Sequence, residues 1–213
     1  MLVPPLCWSC GGIARRGEPL CAGCRGRMHR LSPEPVVLCG IRVWAPVAYA
    51  GPARDLVRAL KFSGATRVAD SMAAQIAANA PAGLLDAQPA AAAPDAISRA
   101  HVVPVPLHSR RLRARGYNQA AIIAAALARR TAREMVECLV RTGSAATQVG
   151  RHRAERRAGP AGEVHIAATP PARVVLVDDV ATTGATLAAC ARVLLAGGCA
   201  EIAAVTFART IGR

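Results

Sequence analysis

The chain has 213 residues, of which 53% are hydrophobic and only 3% aromatic, so its core must consist mainly of Ala, Val and Leu. Lys and Arg number 27 against 13 Asp and Glu, which gives a net charge of +14 that attracts polyanions. A membrane-spanning helix needs roughly 20 uninterrupted apolar residues, and no run of the sequence approaches that length. We therefore expect a cytoplasmic protein without membrane insertion, whose cysteines are reduced or metal-bound.

Five of the eight cysteines lie within residues 1–40, a segment with several Gly and Pro residues and no helical periodicity. Four of them, Cys7, Cys10, Cys21 and Cys24, follow the pattern C-x2-C-x10-C-x2-C. Two such knuckles can present four thiolates to a tetrahedral metal ion. Because no coordination position stays open, we predict structural zinc (Zn²⁺) in a separate small module over residues 1–40. The alternative is that these cysteines are incidental or redox-active.

The next segments alternate between strand-like and helical patterns. Residues 41–50 resemble a strand, and residues 52–62 and 66–80 resemble helices with apolar stripes. Residues 81–99 are rich in Ala and Pro, which predicts a flexible connection. Residues 101–105 are an apolar run typical of a short buried strand.

A strongly basic segment comes next. Residues 108–115 are predicted to form a basic turn, followed by a helix that begins after Asn118 as its N-cap and ends near Arg130. The pattern over residues 131–142 leaves a short helix and a strand equally open. Residues 143–163 are polar, basic and Gly-bearing, which predicts a mobile loop.

The last part of the chain predicts a strand–helix–strand unit. Residues 173–177 are apolar and β-branched, residues 184–196 are helical and closed by Gly197-Gly198, and residues 201–207 form a final strand. This order predicts an α/β fold over residues 41–213, with a parallel sheet flanked by helices.

The strand at 173–177 ends in two carboxylates, Asp178 and Asp179, before a turn of small residues. In parallel sheets, ligands bind at the carboxyl ends of strands, and a helix N-terminus suits a phosphate. The paired carboxylates can accept hydrogen bonds from a ribose 2′,3′-hydroxyl pair. We therefore predict a ribose 5-phosphate site here. The alternative is that the carboxylates and threonines only cap the turn and the helix.

The run VVLVDDVATTGAT resembles the phosphoribosyl pyrophosphate (PRPP) signature of type I phosphoribosyltransferases, with its D-D-x-x-T-T-G-x-T core. The resemblance implies that Asp178 and Asp179 face the ribose as catalytic residues. It also implies that PRPP binds with Mg²⁺ (magnesium). The residues implied to wrap the 5-phosphate are Val180, Ala181, Thr182, Thr183, Gly184, Ala185 and Thr186.

The run VPVPLHSRRLRARGYNQ resembles the corresponding segment of ComF-like proteins, a phosphoribosyltransferase-like family associated with competence for DNA uptake. The matching pieces are V-P-x-P-L, R-L-R-x-R-G and Y-N-Q, and such proteins typically start with a cysteine module. The resemblance places the pyrophosphate near this segment, where Arg110, Arg111, Arg113 and Arg115 could neutralise it; a solvated basic turn is the alternative. Lys61, the only lysine, also stands in a family-like context, or is an ordinary helix-end charge.

Type I enzymes carry a flexible loop that closes over the substrate, and residues 150–162 occupy the corresponding place. Here the run Arg157-Ala158-Gly159-Pro160 departs from the Asn-containing pattern of ComF-like proteins.

The function that this resemblance implies is binding of PRPP, or of a related ribose phosphate or nucleotide, linked to DNA uptake or to processing of incoming DNA. DNA or DNA-processing proteins would be partners, and a homodimer is a further possibility. The alternative is an active phosphoribosyltransferase of nucleotide metabolism or salvage with no DNA role. Two residues each of Trp, Tyr and Phe predict no stacking platform for single strands, and no segment clearly forms a base-recognition hood.

Overall fold

The structure is a computed structural model, and it describes residues 5–85, 100–142 and 163–212. The helices are α1 (Ala22–Gly26), α2 (Gly51–Phe62), α3 (Val68–Asn79), α4 (Ser109–Arg115), α5 (Gln119–Thr131) and α6 (Ala185–Ala196). The strands are β1 (Val36–Leu38), β2 (Ile41–Trp44), β3 (Val47–Ala48), β4 (His101–Pro104), β5 (Leu139–Arg141), β6 (Val164–Ile166), β7 (Arg173–Ala181) and β8 (Glu201–Arg209). Most of the predicted connection over 81–99, and all of the predicted closing loop over 150–162, lie outside the described residues.

The main sheet has the strand order β1-β2-β8-β7-β4, and β3 also pairs with β8. Its outer strand β1 runs antiparallel to β2, whereas every other pairing in this sheet is parallel. Strands β5 and β6 form a separate antiparallel pair. The predicted α/β class, with a parallel sheet covered by helices, is confirmed. Within the described residues, no helix combines the length and apolar character that crossing a bilayer requires.

Two apolar clusters, one on each face of the sheet, explain why β7 is almost continuously hydrophobic. Successive strand residues point to opposite faces. Val175 and Val177 therefore pack with the buried residues of α2, α3 and α5, and Val174 and Leu176 pack with those of α6. A parallel strand covered on both faces loses the polar alternation of a surface strand, which makes its position in a sequence easy to recognise.

The sheet brings the carboxyl ends of β4 and β7 together. The two strands pair in parallel, with Pro104 opposite Val177. The backbone N–H of Val105 continues this pairing by donating to the Val177 carbonyl at 2.9 Å. The segment after β4 therefore begins beside Asp178, at the edge of the sheet where ligands of parallel folds bind.

Several predicted boundaries differ from the structure. Residues 108–115 are not a turn. His108 is the N-cap of helix α4, because its side chain accepts the Arg110 N–H, and Gly116, at φ 84°, ends the helix. Strand β7 continues through the carboxylates to Ala181, since β8 pairs with it as far as Arg209. The predicted strand over 41–50 is split into β2 and β3. The undecided segment over 131–142 contributes strand β5.

The helix ends follow the predicted chemistry. Asn118 caps α5, because its Oδ1 accepts the Ala120 N–H at 3.1 Å. Helix α6 ends at Gly197-Gly198, as predicted, and the N–H groups of both glycines bond carbonyls of its last turn.

The cysteine module packs directly on the sheet domain. Cys7, Leu20 and Met28 are buried in the same apolar cluster as helices α2 and α3. The Ser9 hydroxyl also donates to the Asp55 carboxylate of α2 at 2.7 Å. These contacts fix the module against the helical face that ends near the carboxylate pair.

Candidate functional site

A cavity of about 250 Å³ opens at the carboxyl ends of β4 and β7, and we call it the carboxylate cavity. Elements distant in sequence meet there: the end of α2, the segment after β4, helix α4 and the start of α6. The lining residues are Tyr49, Lys61, Val105, Pro106, Leu107, Arg111, Gln119, Arg141, Asp178, Asp179, Val180, Thr182 and Thr186. Cationic and carboxylate side chains thus line the same small space.

The two carboxylates have different surroundings. Asp179 is 3% exposed, and its Oδ2 forms an ion pair with Lys61 Nζ at 2.6 Å. Asp178 accepts the Asp179 backbone N–H on Oδ1 at 2.8 Å. Burial, and then the neighbouring charge of Asp179, raise the pKa of Asp178 well above its ordinary value.

The loop between β7 and α6 is held by a turn from the N-terminal part of the chain. Gly184 has φ 80°, and a Cβ placed on it would lie 2.6 Å from the Leu38 Cβ. Beside this contact, the Cys39 thiol donates to the Thr183 carbonyl at 3.2 Å. Thr183 Oγ1 in turn accepts the Ala185 N–H at 3.3 Å, at the first turn of α6. Glycine is therefore required at 184 both by conformation and by packing.

Helix α4 determines which arginines face the carboxylate cavity. Arg110, Arg111 and Arg113 are all exposed, and of these three Arg111 alone lines the cavity. Arg115 lies one turn after Arg111 and bonds the Gln119 side chain, which also lines the cavity. Residues four apart share a helix face, so Arg111 and Arg115 point to the same side of α4.

The residues predicted for the phosphate loop fall into three groups. Asp178, Asp179, Val180, Thr182 and Thr186 line the carboxylate cavity. Ala181 is buried in the core. The remaining residues, Thr183, Gly184 and Ala185, form the loop and the first helical position beside it.

Sequence reasoning missed Tyr49 and Arg141 as lining residues, because neither stands in a motif and both come from other parts of the chain. Gln119 was noticed only as part of the Y-N-Q piece. The family-like context of Lys61 marks this residue in the sequence, but it does not indicate that Asp179 is its partner.

The four module cysteines converge as a metal site requires. Their Sγ atoms lie within 4.8 Å of one another, and those of Cys10 and Cys21 are 3.7 Å apart. Tetrahedral zinc with Zn–S bonds of about 2.3 Å places neighbouring sulfurs about 3.8 Å apart. The donor set and its spacing therefore fit a zinc ion with four thiolate ligands.

The electrostatics of this cluster favour a thiolate at Cys7, whereas hydrogen bonds with the side chains of Cys24, Cys21 and Cys7 raise the pKa of Cys10 to about 11. Burial alone would raise the pKa of Cys7, but the backbone N–H groups of Cys10, Cys21 and Ser9 outweigh it and lower this pKa to about 6. The Arg27 guanidinium donates to Cys24 Sγ at 2.9 Å. By contrast, burial raises the pKa of the core thiol Cys190 to about 12, which keeps that cysteine protonated and inert.

Comparison with known proteins gives a full-length but distant similarity. The chain matches no family model. It is 27% identical to the DNA utilization protein YhgH of Escherichia coli over an alignment 234 positions long, covering 99% of this chain and 100% of the relative. The protein of the same name from Shigella flexneri is 26% identical with the same coverage. The orotate phosphoribosyltransferase of Aeropyrum pernix is 22% identical over 85% of this chain and 75% of that one, with a TM-score of 0.37.

Proposed function

We propose that the protein is a ComF-like phosphoribosyltransferase-domain protein that binds PRPP, or a related ribose phosphate, in the carboxylate cavity. The observation that carries this proposal is the convergence of the paired carboxylates with Thr182 and Thr186 on one cavity at the edge of a parallel sheet. Carboxylates suit the ribose hydroxyls, and hydroxyl and N–H donors at the start of α6 suit the 5-phosphate.

The charge of the cavity supports a polyanionic ligand. Lys61, Arg111 and Arg141 supply three cationic groups to the lining. The lining also contains the carboxylates of Asp178 and Asp179. Because the pKa of Asp178 is raised, this pair carries less negative charge than two ionised carboxylates would. A diphosphate entering this cavity therefore meets a net positive surface in a partly desolvated space, where electrostatic attraction is stronger than in water.

Magnesium would enter with the diphosphate. The donors available near it are Asp178 and Asp179, whose carboxylate oxygens are the hard ligands that Mg²⁺ prefers. Asp179 Oδ2 already pairs with Lys61 Nζ at 2.6 Å, so a bound cation or ribose hydroxyl would share this carboxylate with the lysine. Bound Mg²⁺ would neutralise pyrophosphate charge, while the residues of this chain orient the ribose and exclude water.

Two observations support a role with DNA. The relatives that match the chain over its full length are named DNA utilization proteins. The net charge of +14 favours binding to a phosphate backbone. We therefore propose that the protein acts in the cytoplasm. Its ribose-phosphate site and its positive charge would serve DNA uptake or the processing of incoming DNA. An active phosphoribosyltransferase of nucleotide salvage without a DNA role is the competing function.

Calorimetric titration of PRPP with Mg²⁺ into the zinc-loaded protein tests the proposal. We expect one-site binding to the wild type and at least tenfold weaker binding to Asp179→Asn. Asp70→Asn is the matched control, because Asp70 is an exposed carboxylate that pairs with Arg130 at the surface. Thermal unfolding of each variant shows whether it is folded.

Absence of PRPP binding to the wild type at millimolar concentration would refute the proposed site, as would unchanged binding to Asp179→Asn. If binding holds, pyrophosphate release with nucleobase acceptors separates the two functions. Release would favour a salvage enzyme, whereas binding without release, together with salt-dependent retention of DNA, would favour DNA handling.

A further inference from the structure

The outward face of helix α2 carries two arginines without an acidic partner, and we call Arg54 and Arg58 the α2 arginine pair. Both are exposed, whereas the three residues between them are buried or half-buried. Residues four apart are neighbours on a helix surface, so the two side chains leave the helix on the same side. Among the residues that the structure describes, none forms an ion pair with either arginine.

The α2 arginine pair is unfavourable for the helix that carries it. Like charges one turn apart repel each other. Arg54 also follows the first turn of α2, where the helix dipole favours anions, and that turn contains no acidic residue. Asp55, the next residue, is held toward the cysteine module, because it accepts the Ser9 hydroxyl at 2.7 Å. A bound polyanion would remove this repulsion.

The hydrogen bond between Ser9 and Asp55 brings an exposed tryptophan close to the α2 arginine pair. Trp8 immediately precedes Ser9 in the first cysteine knuckle, and its backbone N–H donates to the Pro19 carbonyl at 3.0 Å. The Trp8 side chain is 45% exposed, whereas the other tryptophan, Trp44, is 2% exposed in the core. Exposed Trp together with Arg is the composition of a binding surface.

The turn between the two knuckles adds positive charge on the other side of Trp8. Arg15 and Arg16 are both exposed. The Arg15 carbonyl accepts the Glu18 N–H at 2.9 Å, which closes a turn directly before Pro19. Trp8 is therefore linked through its own backbone to one group of arginines and through Ser9 to the other.

We infer that the α2 arginine pair and the first knuckle bind a single strand of DNA, with phosphates on Arg54 and Arg58 and one unpaired base stacked on Trp8. This inference rests on the DNA role in the proposed function, and it gives that role a surface separate from the carboxylate cavity. Arginine forks suit phosphate oxygens, and an indole stacks bases. One exposed indole makes a single stacking contact, so the phosphates supply most of the affinity.

The phosphate contacts are tested by the salt dependence of binding of a thymidine hexanucleotide to the full-length, zinc-loaded protein. Each phosphate contact to a single strand contributes about 0.7 to the slope of log affinity against log salt concentration. We therefore expect the slope to fall by about 0.7 in Arg58→Ala and by about 1.4 in Arg54→Ala/Arg58→Ala.

Arg192→Ala is the matched control for the loss of one positive charge. Arg192 is an exposed arginine of α6, which covers the opposite face of the sheet from α2. This variant should keep the wild-type slope.

The stacking contact is tested by comparing the thymidine hexanucleotide with an abasic strand of equal length and charge. We expect the wild type to bind the base-bearing strand about tenfold more tightly, near the low end of base–aromatic stacking. This preference should disappear in Trp8→Ala and persist in Trp8→Phe, which keeps an aromatic ring. Zinc analysis of each variant shows whether the knuckle is intact.

Tryptophan fluorescence locates the strand independently of affinity. Binding should quench the fluorescence of the wild type but not that of Trp8→Phe, because the buried Trp44 is then the only indole of the chain.

The outcomes separate this inference from the proposed function. An unchanged salt slope in the arginine variants, or an abasic strand that binds as tightly as the thymidine strand, overturns the inference even where the wild type binds DNA. Absence of strand binding by the wild type overturns it together with the proposed DNA role, whereas the PRPP titration tests the carboxylate cavity separately.

Discussion

The Lys61 ammonium lies 2.6 Å from the Asp179 carboxylate, and the two side chains are 23% and 4% exposed. The only lysine of the chain thus neutralises the more buried carboxylate of the candidate site. Such a pair contributes little net stability, because desolvation offsets attraction, but its charges depend on each other. Removing one partner alone leaves the other without compensation.

We therefore expect Lys61→Met to lower the free energy of unfolding by about 3 kcal/mol. Urea denaturation at pH 7 measures this loss. The double variant Lys61→Met/Asp179→Asn should recover most of it, because no uncompensated charge remains. Asp70→Asn, which breaks a surface ion pair, should cost less than about 1 kcal/mol. A double variant no more stable than Lys61→Met would contradict the pairing.

The raised pKa of Asp178 predicts how stability depends on pH. The unfolded chain ionises this group near pH 4, whereas the native protein holds it protonated to a higher pH. The native state therefore loses stability relative to the unfolded state as pH rises through that window. The Asp178→Asn variant has no ionisable group at this position, so it does not lose stability over this pH range. Its amide oxygen can still accept the Asp179 N–H. We expect its Tm to exceed the wild-type Tm by about 3 °C at pH 8 and to match it near pH 4. A variant that melts below the wild type at pH 8 would refute this assignment.

The conformation and contacts of Gly184 predict a site-specific cost of substitution. Gly184→Ala brings strain at φ 80° together with a Cβ that must displace Leu38. Gly198→Ala is the matched control, since Gly198 has φ 96° and open space around it. Strain alone costs about 1 kcal/mol in either variant. Thermal unfolding should show a larger loss for Gly184→Ala, and calorimetry should show PRPP binding weakened at least tenfold in that variant alone. Equal effects would mean that the contact with Leu38 is unimportant.

The cysteine cluster predicts one zinc ion per chain and a specific pattern of loss. Cys24→Ser should abolish zinc in metal analysis of reductively purified protein, because it removes one of four converging thiols. Cys39→Ser should retain zinc, since Cys39 is outside the cluster. Buried module residues share the core of α2, so we expect Cys24→Ser to lower the free energy of unfolding by about 4 kcal/mol. Full zinc content in Cys24→Ser would rule out this ligand set.

The parallel sheet and its flanking helices could be predicted because their signals are local. Val174–Val177 is an apolar run, and Asn118 and Gly197 carry the chemistry of helix ends. The extension of β7 to Ala181 could not be predicted in this way, because it depends on pairing with β8. Strand β5 was likewise undecided, since its partner β6 lies more than twenty residues away.

The arginines show the same limit at the candidate site. A predicted turn gives no reason to expect one of its four arginines, rather than another, to face the ligand. A helix does, because it places the arginines on different faces. Because residues 109–115 form a helix, Arg111 and Arg115 share one of its faces. Arg111 lines the carboxylate cavity, whereas Arg110 and Arg113 do not. The placement of the PRPP ligands stays a prediction, and Arg111 is the arginine whose substitution should weaken binding most.

The contact of Leu38 and Cys39 with the β7–α6 loop has a consequence for shortening the chain. A fragment that begins at residue 41 would keep β2 and the rest of the sheet but would lose β1 and the turn that covers Gly184. Thr183 would then face water on the side where the Cys39 thiol now bonds its carbonyl. A fragment intended to retain the shape of that loop must therefore begin before Val36.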